Sequence, residues 1–193
     1  MTDLFVFDKF PILETERLIL REISADDVEG IIAMYGDTET IKFMYDIETP
    51  VTTNNEAMEI IEWCAQIFRD KSGLRWGITL KGNDNLIGTC GYHYWLPQHR
   101  RAEIGYDLAR QYWRQGIMTE AARVMLQFGF ERMNLYRIEA DVTVGNDASA
   151  ALLEKLNFKR EGLWRHRVFA RQQFWDLRQF GLLKDDTIIS YDT

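Results

Sequence analysis

Cysteine, proline and histidine are scarce in this chain, with two, three and three among 193 residues. Cys64 and Cys90 stand at no spacing that suggests a disulfide framework or a metal knuckle. His93, His99 and His166 are scattered and no HExxH occurs, so a bound metal is not expected. Reduced thiols fit a cytoplasmic protein. No apolar run approaches the roughly 18 residues of a membrane span. The opening "MTDLFVFDKFPILETE" mixes acids with apolar residues and lacks the basic start of a signal peptide. Basic residues are also in deficit. Lys and Arg total 23 against 30 Asp and Glu, a net charge of −7, with a pI near 5.1. That excludes a general nucleic-acid binder, which needs a basic face for phosphates, while a basic acceptor is tolerated.

What is present is an ordinary soluble composition, 46% hydrophobic and 27% charged. Repeats, linkers and low-complexity segments are missing, so 1–193 reads as one domain with its core from about 15 to 183. "RLILREI" predicts a strand with Leu18, Leu20 and Ile23 inward. Ser24 caps a helix that stops near Gly36. A second helix over "NNEAMEIIEWCAQIFRD" carries an apolar stripe through Met58, Ile61, Cys64 or Ala65, and Phe68. "RWGITL" and "LIGTCGYHYW" form a hairpin across "KGNDN". In "RAEIGYDL", Ala102, Ile104, Tyr106 and Leu108 share one face and Glu103, Gly105 and Asp107 the other. A helix follows with Met118, Ala122, Met125, Gly129 and Met133 on its apolar side, then a strand with Ile138, Ala140, Val142 and Val144 inward. A short helix capped by Asn146 or Asp147 ends at Asn157, and two strands near 158–164 and 174–182 complete the chain. The order β-α-α-β-β-β-α-β-α-β-β predicts one α/β (α+β) domain with a mixed, largely antiparallel sheet.

The loop "YWRQGIMTEA" asks for explanation. A turn needs only a polar residue or two, whereas a polyanion site needs free N–H groups at a helix start and no obstructing side chain. Gly116, between Arg114–Gln115 and Met118–Thr119, suits the second purpose without excluding the first.

Strand "AEIGYDL", this loop, its helix, "RIEADV" and "NDASAALLEKLNF" together resemble the GCN5-related N-acetyltransferase (GNAT) family. Within it they are similar to the branch that acetylates ribosomal-protein N-termini, as are "ETERLILREISADDVEGI" and "FWDLRQFGLL". The family loop, Gln/Arg-x-x-Gly-x-Gly/Ala, falls on Trp113 to Met118 and keeps only Gly116. The resemblance implies acetyl-CoA as co-substrate. Its pyrophosphate would rest on the N–H groups of Arg114, Gln115, Gly116, Ile117, Met118 and Thr119, and its pantetheine on the backbone of Tyr106, Asp107 and Leu108 and on Asn146. Glu103 is implied as general base, with Gly105 leaving room beside its carboxylate, and Ser149 as a donor to the departing sulfur. Many relatives place a tyrosine where this chain has Leu153.

The acceptor implied is a primary amine, foremost a protein N-terminus such as that of a ribosomal protein. A polyamine, aminoglycoside or amino acid acceptor, and a non-catalytic acyl-CoA-binding role, stay open. So does the oligomeric state, a homodimer included. Among the remaining residues, the six tryptophans, Phe128 and Phe130 read as core, "PQHRRAE" as a solvated hairpin tip, and Trp175 and Asp176 as candidate walls of the acceptor groove.

Overall fold

Alternation along the third strand explains how the layers form. In the computed structural model, which describes residues 5–188, β3 (Leu74–Leu80) turns Leu74, Trp76 and Ile78 to one face and Arg75, Gly77 and Thr79 to the other. The first set joins a core with Met118, Ala122 and Met125 of helix α4 (Ile117–Glu131). On the opposite face, Gly77 lies against Ile23 and Leu86, which belong to a second core with α1 (Val28–Tyr35) and α3 (Asn54–Arg69). Helices therefore cover both faces of the sheet.

Eight strands form that sheet in the order β1-β2-β3-β4-β5-β6-β8-β7. β1 (Leu13–Glu14), β2 (Leu18–Arg21), β3, β4 (Asn83–Leu96) and β5 (Arg101–Leu108) pair successively with one another, each antiparallel to the one before. β6 (Arg137–Thr143) is parallel to β5, and β8 (Gln173–Leu183) and β7 (Lys159–Ala170) extend the antiparallel pattern. α2 (Thr38–Ile41), α5 (Asp147–Lys155) and α6 (Lys184–Ile188) are short. The expected order holds, with β1, α2 and α6 added.

Local chemistry accounts for the boundaries. Ser24 and Asp27 form a capping box before α1, and Thr53 with Glu56 forms one at the start of α3. Asn157 closes α5 at φ 68°, as a residue tolerant of the left-handed region. Three expectations need correcting. The α3 stripe begins at Ala57, since Met58 is 40% exposed. Val144 lies beyond the end of β6 and is exposed. Trp76 is fully buried as predicted, but Trp63, Trp113 and Trp164 are exposed and take no part in the core. No helix of the described residues is long and apolar enough to cross a membrane, and no described cluster of His, Cys, Asp and Glu would hold a metal ion.

Candidate active site

β5 and β6 pair over three positions only, Arg101 with Arg137, Ala102 with Ile138 and Glu103 with Glu139. Beyond Glu103 the strands part, and residues 104–108 and 140–143 line a cavity of about 650 Å³. The N–H of Ala109 bonds the Ile87 carbonyl. By the alternation of an antiparallel ladder, Asp107 then exchanges its backbone bonds with Thr89, while Tyr106 and Leu108 turn theirs toward the gap. Only two of the three predicted backbone positions therefore face the cleft. The Leu108 carbonyl also accepts the Trp113 indole N–H at 2.7 Å, which leaves its N–H as the group on offer.

α4 begins at the wall of this gap. Gly116 is its N-cap at φ 76°, and no side chain caps the helix. The N–H groups of Ile117, Met118 and Thr119 have no partner within the helix, and they sit at its positive end. Arg17 braces the loop: its Nη1 donates to the Gln115 carbonyl at 3.2 Å and its Nε to Glu120 at 2.7 Å. Arg114 (φ 60°), Met118 and Thr119 line the cavity. Gln115, Gly116 and Ile117 do not. The Gln115 side chain turns back to the Gln111 carbonyl, and Ile117 is buried in the core. None of the three offers the cavity a side chain.

α5 starts across the gap. Asn146 accepts from the Ser149 N–H at 3.2 Å, so it caps the helix while also lining the cavity. The Ser149 hydroxyl lies 2.7 Å from the Tyr106 hydroxyl. Leu153 is fully buried in the core and lines neither cavity.

Glu103 occupies the point where β5 and β6 separate. Burial, and then the charges of Asp141 and Glu139, push its carboxyl up to about 7. It lines the first cavity and also a second, of about 710 Å³, whose wall comes from 44–51, from α3 and from β4. Met44, Tyr45, Asp46, Arg75, His93, Glu103 and Asp107 are common to both. Asp46, Glu48, Glu56, Glu59, Glu103 and Asp107 line the second cavity, with Arg75 as its one cation among the described residues.

Beneath the junction, Arg75 pairs with Asp107 and donates to the Thr89 hydroxyl at 3.0 Å. The Tyr35 hydroxyl donates to Asp107 at 3.0 Å. The room expected beside Gly105 is already filled, because a Cβ there would lie 2.6 Å from His93 Nε2 and 3.2 Å from Arg75 Nη1. The missing side chain admits an imidazole. Burial, then Arg75, hold His93 down to about 3, so its ring stays neutral. Buried His93 Nδ1 and Thr40 Oγ1, both in cavity-lining residues, have no hydrogen-bond partner among the described residues. Such orphaned groups suit a polar ligand. Trp175 and Asp176 line neither cavity. Asp176 accepts from the His166 N–H and Trp175 donates to the Ala170 carbonyl.

Arg75, Tyr45 and His93 escaped the sequence reading because they come from elements far apart in the chain. The alternation in "TCGYHYW" was the available signal for His93 alone.

A strand pair splayed over a helix start, with an elevated carboxyl at the fork, forms a cleft that can take an extended ligand along β5 and an anion at the start of α4. The family profile described as Acetyltransferase (GNAT) domain matches residues 17–159, and the chain belongs to that family. It is an acetyl-CoA-dependent N-acetyltransferase, with acetyl-CoA as co-substrate. It is 37% identical over 175 residues to the uncharacterized N-acetyltransferase YoaA of Bacillus subtilis, covering 91% of this chain and 98% of that one. The structure of RimL, a ribosomal L7/L12 alpha-N-protein acetyltransferase in complex with coenzyme A, is similar in fold. Its TM-score is 0.82 at 18% identity, over 91% of this chain and 99% of that one. Spermidine N-acetyltransferase from Vibrio cholerae, in complex with CoA and spermine, has a TM-score of 0.76 at 21% identity, over 90% and 99%.

Proposed function

We propose that this chain acetylates the α-amino group of a protein or peptide N-terminus, of the ribosomal-protein kind. The carrying observation is that two cavities meet at Glu103, whose carboxyl is pushed up to about 7. Acetyl-CoA, when bound, supplies an activated acyl group as a thioester. The gap between β5 and β6 takes its pantetheine, with Tyr106 and Leu108 offering backbone groups as a partner strand would. The uncapped start of α4 takes the pyrophosphate, with Arg114 alongside.

The amine enters from the second cavity, and its nitrogen must be neutral to attack. Glu103, as carboxylate, accepts the proton directly or through water. An α-ammonium of pKa about 7.8 is nearly matched to such a base, whereas a lysine near 10.4 is more than three units away. At pH 7 about 14% of the former is neutral and about 0.04% of the latter. On the other side of the junction the Ser149 hydroxyl stabilises charge developing on sulfur. If Tyr106 donates to Ser149 Oγ, the serine proton is free to point into the cavity.

The acids of the second cavity support a cationic acceptor, and they favour a polyamine as the second reading. The deciding experiment supplies acetyl-CoA with a peptide that offers both amines, in parallel with spermidine, and maps acetyl groups by mass spectrometry. Predominant α-amine modification is expected. Lysine modification, or turnover of spermidine alone, would overturn the assignment.

A further inference from the structure

Residues 42–48, between α2 and α3, form a strap that lines both cavities. Lys42 to Asp46 face the first and Met44 to Glu48 the second. Near its start, the Thr143 hydroxyl donates to the Phe43 carbonyl at 2.8 Å, and the Phe43 ring fills the space over Gly145, 3.1 Å from where a Cβ would stand. Its ends are gathered by one side chain from far along the sequence. Arg171 Nη1 donates to the Lys42 carbonyl at 2.8 Å, and Nη2 donates to the carbonyls of Ile41 and Ile47, both at 2.8 Å. Its Nε donates to the Glu48 carbonyl at 3.1 Å, and its own N–H to the Glu48 carboxylate at 3.1 Å.

The turn that presents this guanidinium is costly for its sequence. Ala170 pairs with Gln173, so Arg171 and Gln172 are a two-residue hairpin loop, and both are left-handed, at φ 51° and 59°. That geometry favours Asn-Gly, and strain of this kind persists where surrounding contacts over-determine it. Here the contacts are the strap carbonyls, which a planar fork can span and a single ammonium cannot.

We propose that Arg171 is a positioning residue for the acceptor: by tying the strap to the β7–β8 turn it holds Met44, Tyr45 and Asp46 at the wall between the two cavities. The proposal rests on the second cavity being the acceptor side. Arg171 touches no reacting group and acts through the strap.

Two variants test this, Arg171→Lys, which keeps the charge and loses the fork, and the double change Arg171→Asn with Gln172→Gly, which gives the turn its preferred residues. The double variant separates the tether from hairpin stability, since its turn is relieved of strain. Two readouts are needed, hydrogen exchange of the amides of 42–48 and steady-state kinetics in both substrates. The expected result is faster exchange in the strap, a rise of about tenfold in KM for the amine, and KM for acetyl-CoA within about twofold of wild type. Wild-type exchange and wild-type amine KM in the double variant would overturn the proposal. If the wild-type protein acetylates no amine offered, the functional reading fails, and the exchange data still decide whether Arg171 holds the strap.

Discussion

The hydroxyl of Tyr106, on β5, lies 2.7 Å from the hydroxyl of Ser149, on α5, across the gap between the parted strands. Burial and then the Ser149 hydrogen bond act on this phenol in opposite senses, with burial stronger, so it stays protonated. Held protonated, it can donate a hydrogen bond to Ser149 Oγ, and it gives up a proton reluctantly. The phenol that meets Ser149 stands on the strand, whereas Leu153 on the helix is buried in the core. Ser149→Ala is expected to lower kcat by about 10²-fold, the lower end of what one donor to developing charge is worth, and Tyr106→Phe by less, because it acts through the serine. Both should leave KM for acetyl-CoA nearly unchanged. Wild-type kcat in Tyr106→Phe would remove the phenol from the account.

Gly116→Val tests the helix start. At φ 76° a β-branched residue is strained whatever space surrounds it, and that space is open apart from Arg17 Nη2 at 3.6 Å. Affinity for coenzyme A is expected to fall at least tenfold, about 1.4 kcal/mol, by titration calorimetry on folded protein. Undiminished affinity would place the pyrophosphate elsewhere.

The Arg75–Asp107 pair is buried beneath both cavities. Arg75→Met strands the carboxylate and should cost about 3–5 kcal/mol in denaturant unfolding. Adding Asp107→Leu should restore much of that loss, because breaking a buried pair costs more than replacing it. A single variant as stable as wild type would mean that water already reaches the pair.

The fold was legible where periodicity is strong. The alternation of Ala102 and Ile104, and the stripe Met118, Ala122, Met125, follow from one face being covered by the core. Gly116 and Asn146 were readable because their roles are local. Tyr106 was assigned to the apolar face from alternation, and nothing local reveals that its phenol meets Ser149, 43 residues on. Gly105 shows the same limit: an empty position in one strand says nothing of the His93 ring that a neighbouring strand lays over it. The exposed tryptophans Trp63, Trp113 and Trp164 were read as core from residue type alone, and only the packing separates them from Trp76.

Stability should register Glu103 as well. Its carboxyl is ordinarily near 4.5 and is raised to about 7 in the folded chain, so folding favours the protonated form. The stabilisation this group contributes is full below about pH 4.5 and is lost as pH rises through about 7. Glu103→Gln should therefore melt higher than wild type at pH 8, with the advantage shrinking toward pH 4. An advantage independent of pH would point to packing.

The account turns on Glu103 accepting the amine's proton, and the pH dependence of kcat/KM for wild type and Glu103→Gln tests it most directly. The limb due to the acceptor's own amine is common to both proteins and cancels in the ratio. The predicted ratio of wild type to variant climbs through about pH 7 to a plateau of about 10²–10⁴, with coenzyme A affinity retained. A variant with kcat/KM near that of wild type across the range would contradict the account and leave Glu103 a half-buried strand carboxylate.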